Sequence, residues 1–418
     1  MSNFRISLVH PTGNPNSREA ALALGEAGLL HEVITTIAYD PASPRWQYFN
    51  QLPGVIRERV RSELGRRTWI APLGAQMRSH PWKELMRVAL VKTGLPRRLG
   101  FSNQRLTDWI YRSVDRLVAN SHLEGLDAIY AYEDGAATTF EAAKQRGILC
   151  LYDLPIIFYR MSREIQTEEA QRFPKLAPAL QGTKEPAWKL KRKELEVQLA
   201  DHIFVASSIT RKSLVDFGVK PAKISVIPYG APLEYFHPQP KNDRTFRAIY
   251  VGRVEPRKGI HYLLQAWASL QLLRAELWLV GINEFPDGWL DRYSDRFRYI
   301  PSVPHSSLNE YYNAADVLVF PSLVEGFGLV LLEAMACGIP VITTPNTAGP
   351  DIITDGVEGF IVPIRDVKAL AEKIEWCSEH TLELAEMGQA ARRKAEQLTW
   401  AMYREKLARI VESLVVSR

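Results

Sequence analysis

Between Val317 and Val341 the chain leaves a short apolar run, Val317–Phe320, and turns through Pro321-Ser322-Leu323-Val324-Glu325-Gly326-Phe327-Gly328. It then enters an apolar helical stretch near Leu329 and emerges in a second apolar run, Val341–Thr344. The same order of strand, Gly-containing turn, helix and strand opens the chain. A strand over 5–10 breaks at Pro11–Asn16, Ser17 serves as N-cap to a helix over Arg18–Leu24, and His31–Ile37 reads as the next strand after the stop at Gly28. This alternation predicts doubly wound α/β sheets.

Further short strands are expected at Ala128–Tyr132, Ile148–Tyr152, His202–Ala206 and Ile224–Pro228. The pattern restarts with Ala248–Gly252, a helix from Ile260, and strands at Leu277–Val280, Phe297–Ile300 and Val317–Phe320. A chain of 418 residues exceeds what one core supports. The Pro-rich polar stretch Pro232–Arg244 is the expected linker. The expected division is an N-terminal domain over 1–238, completed by a C-terminal helix over 400–418, and a C-terminal domain over 239–399.

Cysteine usage excludes two classes of architecture. Cys150, Cys337 and Cys377 are odd in number and widely spaced, which predicts neither a disulfide framework nor a zinc site. No basic leader followed by an apolar core precedes the first strand, and no apolar run reaches spanning length, so a cytoplasmic protein is expected.

The Glu325–Val341 stretch carries the most chemistry. Gly326 and Gly328 permit a tight turn, and the helix that starts at Leu329 presents unpaired amides to an oxygen-rich ligand, with Phe327 between the glycines. Glu325 just before the helix and Glu333 inside it are placed to face the crevice at the carboxyl ends of the strands, where a carboxylate suits a vicinal diol. A second strand-to-helix junction, Val251-Gly252-Arg253-Val254-Glu255-Pro256-Arg257-Lys258-Gly259, brings Arg253 and Lys258 toward a phosphate. Taken singly, Gly-x-Gly reads as a turn and the two cations as solvated charges. Together the two segments describe a site for a nucleotide diphosphate sugar.

On these residues the chain resembles the retaining glycosyltransferases of the GT-B fold, in particular the large fourth family, whose architecture is two Rossmann-like doubly wound domains facing a central cleft. Glu325 and Glu333, with seven residues between them, look like that family's paired glutamates, and Arg253 and Lys258 like its phosphate-binding pair. Ser207-Ser208, Ile227-Pro228-Tyr229-Gly230 and Phe236 resemble its segment closing the first domain. The likeness runs through the second half and is patchy in the first.

The resemblance implies transfer with retention, no metal and no cofactor beyond the donor substrate. Arg253, Lys258 and Glu325 are the expected catalytic residues. Gly13, Asn14, Gly252, Gly326, Phe327, Gly328, Leu329 and Glu333 are the expected donor-binding residues. Where relatives carry a first-domain His, this chain reads Tyr130-Ala131-Tyr132-Glu133-Asp134-Gly135. Tyr132 reads as a packed strand residue or an acceptor contact, Glu133 or Asp134 as a helix N-cap or an acceptor contact, and Asp153 stands equally open.

Charge is uneven along the chain. Arg45 to Asn120 holds 15 Lys and Arg against 5 Asp and Glu, while the whole chain carries +5. Trp46, Trp69, Trp82 and Trp109 are interleaved with these cations. The segment reads either as a solvated positive face over core tryptophans or as a surface for an anionic membrane at the inner face, near a lipid-linked or glycan acceptor. No nucleic-acid-binding motif is present, and nucleic acid is not an expected partner. Two rivals to a hexosyltransferase of cell-surface polysaccharide or glycoconjugate synthesis are an epimerase or phosphorylase on the same fold and a non-catalytic nucleotide-sugar-binding partner subunit.

Overall fold

The computed structural model describes residues 4–43, 46, 53–65, 67–72, 74–93 and 103–417. Among them lie two sheets. The first is built from β1 (Ile6–Val9), β2 (Leu30–Thr35), β3 (Gln76–Ser79), β4 (Ala128–Tyr132), β5 (Leu149–Leu154), β6 (His202–Val205) and β7 (Ile224–Val226), in the order β3-β2-β1-β4-β5-β6-β7. The second holds β8 (Phe246–Val251), β9 (Ala275–Val280), β10 (Arg298–Ile300), β11 (Val317–Phe320), β12 (Val341–Thr343) and β13 (Gly359–Ile361), in the order β10-β9-β8-β11-β12-β13.

β1 pairs in parallel with both β2 and β4, and β8 with both β9 and β11. In each sheet the strand order therefore reverses beside the first strand. Open α/β sheets hold ligands at the carboxyl ends of the strands beside such a reversal, which is the place of the loops leaving β1 and β4 in the first sheet and of those leaving β8 and β11 in the second.

β1, β4, β5 and β11 are buried along their whole length. Strands covered on both faces by helices read as unbroken apolar runs, which is why they were legible in the sequence. β3 and β13 were not anticipated, and both are sheet edges. Gln76-Met77-Arg78-Ser79 alternates between exposed and half-buried positions, and Gly359-Phe360-Ile361 is only three residues long. An edge strand covered on one side lacks that run.

Among the described residues the helices of eight residues or more are α1 (Pro15–Glu26), α2 (Gly54–Gly65), α3 (Trp82–Thr93), α4 (Asn103–Ser121), α5 (Ala137–Gln145), α6 (Tyr159–Arg172), α7 (Ala187–Leu199), α8 (Ser208–Asp216), α9 (Ile260–Ser269), α10 (Leu329–Ala336), α11 (Val367–Glu379), α12 (Thr381–Gln397) and α13 (Trp400–Val416). α1 starts earlier than expected. Its N-cap is Asn14, not Ser17; Ser17 is the third helical residue and closes a capping box with Asn14. Pro15 fits the first helical position because its missing N–H would go unpaired there.

The chain groups into two compact units that do not follow a single cut at residue 238. One holds Met1–Asp153, Ala187–Phe204 and Arg404–Arg418; the other holds Leu154–Pro186 and Val205–Tyr403. The early segments of the second unit are fastened to its later ones. A Cβ on Gly326 would lie 1.8 Å from the Pro155 carbonyl oxygen, and Ser207 Oγ donates to the Gly326 carbonyl. The Ser208 N–H donates to Asp351 at 2.9 Å. Buried Glu169 on α6 accepts from His261, Tyr262 and Arg365. The expected linker is itself pinned: Phe236 is buried against Tyr312, and the His237 N–H donates to Asn309 at 3.0 Å. From Arg404 onward α13 belongs to the first unit, where Arg404 reaches Glu19 and Glu26 on α1.

Candidate functional site

In the second unit the loops that leave β8 and β11 meet through their backbones. Gly259 has φ +71, and a Cβ there would stand 2.1 Å from the Pro321 carbonyl oxygen. The Leu323 N–H donates to the Arg257 carbonyl at 3.0 Å, and Arg257 Nη1 donates to the Val324 carbonyl at 2.7 Å. The two glycines of the turn do different work. Gly328, at φ +87, makes the left-handed turn into α10, whereas Gly326 has no such φ and is required because the Pro155–Ile156 backbone lies against it. The expectation that both serve the turn is corrected on that point.

This closure brings two of the expected residues together. Lys258 and Glu325 form an ion pair, with Lys258 buried and its ammonium over the Phe320 ring. Burial, then the positive charge of Arg257 and that of Arg253, pulls the Lys258 ammonium well below its ordinary range, while Glu255 pulls it back. Arg253 thus acts electrostatically on Lys258, although its own guanidinium extends outward to Glu284 at 3.0 Å. A bound anion between these cations offsets their mutual repulsion.

Glu333 is a buried carboxylate rather than a solvated helix residue. It accepts from Tyr312 Oη at 2.8 Å on its inner side and contacts His305 Nε2 at 3.0 Å on its outer side. That bond to Glu333 raises the half-exposed His305 above its ordinary value. Phe327 turns its ring inward against Tyr229, leaving only its backbone for a ligand. Gly328 gives α10 no side-chain cap, so the first-turn amides at Leu329 remain as donors. Gly252, at φ +140, backs onto Gly281, and the Tyr250 hydroxyl donates to the Arg253 carbonyl.

The first unit holds the remaining candidates, and most face inward. Tyr132 is buried with its ring 4.8 Å from that of His10. Glu133 pairs with Lys193 at 3.3 Å. Asp153 is buried and accepts from Tyr130 Oη at 2.7 Å; burial pushes its carboxyl up to about 7. Neither Glu133 nor Asp134 caps α5. Glu196 of α7 and Asp115 of α4 instead receive the amides of Ala136, Ala137, Thr138 and Thr139.

Around Gly13 and Asn14 the local donors are already engaged. The Gly13 N–H donates to His10 Nδ1 at 2.9 Å, and the Asn14 N–H to Ser17 Oγ at 2.9 Å. His10, His305 and Arg257 are the residues that reading the sequence passed over. A lone His in a Pro-bearing loop carries no periodic signal, and only folding shows what its ring touches.

Among the described residues, no helix is long and apolar enough to cross a membrane, and no group of three or more His, Cys, Asp and Glu is placed to hold a metal ion. In the basic region, Arg67 and Arg87 turn inward to buried Glu84, Arg78 pairs with Glu32, and Trp69 is buried. On α3, however, Trp82 is 81% exposed and Leu85 and Met86 share its face. Arg66, Arg97 and Arg98 lie outside the described residues.

The family model described as glycosyl transferases group 1 matches residues 233–394, the segment that contains the Lys258–Glu325 pair and Glu333. A D-inositol 3-phosphate glycosyltransferase of Streptosporangium roseum is 32% identical over 208 residues, 44% of this chain and 48% of that one. The chain spans about half the length of the curated relatives it matches. Likeness in fold covers nearly all of it. Sucrose-phosphate synthase from Thermosynechococcus elongatus superposes with a TM-score of 0.66 at 20% identity, over 99% of this chain and 100% of that one. Anabaena HepE in complex with UDP-glucose does so with a TM-score of 0.61 at 17% identity, over 98% and 99%.

Proposed function

We propose that this chain, whose residues 233–394 match the glycosyl transferases group 1 model and whose fold is GT-B, moves a hexose from a nucleotide diphosphate sugar to a glycan or lipid-linked acceptor. The observation that carries the reading is the buried Lys258–Glu325 pair at the point where the second sheet reverses its strand order. A cation held there without water is worth most to a leaving diphosphate. The complex of HepE with UDP-glucose supports a nucleotide sugar as the donor class.

As the bond from sugar to diphosphate breaks, negative charge grows on the leaving oxygen and the sugar becomes oxocarbenium-like. Lys258 and Arg253 stabilise that oxygen more in the transition state than in the ground state. Glu325, paired with Lys258, orients the sugar. Glu333 exchanges His305 for the ribose diol, and the α10 amides at Leu329 face the sugar. The departing phosphate oxygen takes the acceptor's proton on the same face of the sugar, which gives retention. The cations do this work without a divalent metal.

The site of action in this reading is the cytoplasmic face of a membrane, in the synthesis of a cell-surface polysaccharide or glycoconjugate. The exposed Trp82, Leu85 and Met86, beside Lys83 and Lys92, form the amphipathic face that would meet anionic lipid.

The test is a thermal-shift panel of UDP-, GDP- and ADP-sugars with and without EDTA. A donor at a hundred times its Kd adds about 2.7 kcal/mol to the folded state. One sugar nucleotide should raise Tm, independently of EDTA, and lose that effect in Glu333→Ala. Its turnover with acceptor should give a product of the donor's anomeric configuration by NMR. Loss of the shift in EDTA would overturn metal independence, inversion would overturn retention, and silence across the panel would favour a non-catalytic partner subunit.

A further inference from the structure

The Pro-rich stretch before β8 borders a cavity that the donor reading does not use. It lies at the amino ends of β8, β9, β11 and β12, between the segment 238–246, the turn before β12 and α12, and holds about 920 Å³. All of its lining residues fall in 238–393, within the second unit. Six residues of extended chain in β8, about 20 Å, separate it from the Gly252 loop. The cavity therefore sits at the end of the sheet opposite Lys258 and Glu325.

The polar groups inside it are satisfied and build its wall. Asn313 accepts from the Gln239 N–H at 2.5 Å and donates to the carbonyls of His237 and Asn309 at 3.0 and 2.7 Å. Asp316 accepts from Lys241 and from the Arg247 N–H, the latter at 2.7 Å. Arg392 donates to the carbonyls of Phe236 and Ala336. Asp243, the other carboxylate that lines the cavity, pairs with Arg247 at 3.2 Å. The surface between these groups is apolar, made by Phe246, Ile339, Pro340 and Leu384, the last three of them buried.

The cations at the rim are unpaired. Arg244 before β8, Arg274 before β9 and Arg393 on α12 are exposed, line the same cavity, and among the described residues make no ion pair and no side-chain hydrogen bond. Three guanidiniums reach one cavity from three separate segments, and its two acids are already engaged. The positive field that remains draws an anion. Leu273, next to Arg274, is 93% exposed, so apolar surface continues from the floor to the rim.

We propose that this cavity is a second ligand site, for a small amphipathic anion whose phosphate or carboxylate is held by the guanidiniums of the rim and whose apolar body lies on Phe246, Ile339 and Leu384. A guanidinium meets such an oxyanion with two parallel hydrogen bonds, and the volume is that of a pocket for one small molecule. A bare inorganic anion would leave the apolar floor in water, and a neutral hydrocarbon would leave the cations unpaired. The site is independent of what the carboxyl ends of the strands hold.

Isothermal titration of the full chain with phenyl phosphate, decyl phosphate and inorganic phosphate tests it. At least one organic phosphate should bind saturably and more tightly than inorganic phosphate; phenyl phosphate alone marks a compact metabolite, decyl phosphate alone a single-chain lipid. Arg244→Glu combined with Arg393→Glu should weaken that binding by about tenfold or more and leave Tm unchanged, because both side chains are exposed. Ala385→Trp, which fills the cavity from α12 without changing charge, should block it as well. Binding should persist in Glu333→Ala, at the donor loops, and in Trp82→Ser, on the exposed face of α3. Inorganic phosphate binding as tightly as either organic phosphate, no saturable binding of any of the three, or binding that survives the double charge reversal overturns the site. Binding lost in Glu333→Ala or in Trp82→Ser overturns it too, by assigning the ligand to the donor loops or to α3. Binding kept in Glu333→Ala while no nucleotide sugar raises Tm upholds the cavity and fails the donor reading.

Discussion

The two sheets reverse their strand order at equivalent places, yet the loops at those places are built differently. After β8 and β11, charged side chains are paired with one another at the edge of burial: Lys258 with Glu325, Arg253 with Glu284, Glu333 with His305. At the carboxyl ends of β1, β4 and β5 polar groups are turned inward: His10 holds the loop amides, Tyr132 packs on His10, Glu133 is paired to buried Lys193, and Asp153 is bonded to Tyr130. One topology thus carries two kinds of loop. Paired charges offer a charged ligand an exchange of partners, whereas buried hydrogen bonds set shape and release little.

The sharpest way to break this contrast is at the cation. Lys258→Ala should lower kcat by about 10²- to 10³-fold, the cost of removing one preorganised charge-stabilising donor, with far less change in KM. A loss confined to KM would mean that Lys258 only binds. The next effect is on stability. Gly326→Ala drives a Cβ to 1.8 Å from the Pro155 carbonyl, where backbone must move, and should cost about 3 kcal/mol in denaturant melts. Gly13→Ala, at φ +62, takes on left-handed backbone strain of about 1 kcal/mol and meets the edge of the Trp69 side chain at 2.7 Å, and it should still cost less, because a ring can shift. Equal losses would erase the distinction between the loops.

A smaller effect is expected at the outer contact of Glu333. His305→Ala leaves Glu333 bonded to Tyr312 and removes only the partner on the outer side, so donor KM should change by less than about tenfold and Tm hardly at all. The smallest is a pH slope. Asp153 holds its proton in the folded state up to about pH 7, while the unfolded chain releases it near its ordinary value of 3.8. The folded state therefore binds more protons across that interval, so Asp153 makes stability fall as pH rises from about 4 to 7 and adds no slope above it. Asp153→Asn should flatten this part of the Tm-against-pH curve. An unchanged slope would show that Asp153 is ionised in the fold.

The sequence alone determined the two doubly wound sheets, because strands buried on both faces leave unbroken apolar runs and helices that follow Gly turns leave caps and stops. It also singled out one stretch of the second half as the candidate site, since Arg253, Lys258, Glu325 and Glu333 lie at short spacings beside strand ends, and the fold pairs Lys258 with Glu325. The edge strands β3 and β13 were not legible, because β3 alternates exposed and half-buried positions and β13 is three residues that open on a glycine. Only the tertiary structure decided that Gly326 answers to Pro155, that Glu333 answers to Tyr312 and His305, that segments 154–186 and 205–238 group with the second half, and that His10 fixes the loop around Gly13. Each of these depends on which backbone or side chain comes to lie opposite a residue distant in the chain or out of periodic register with it, and neither composition nor spacing records that neighbour.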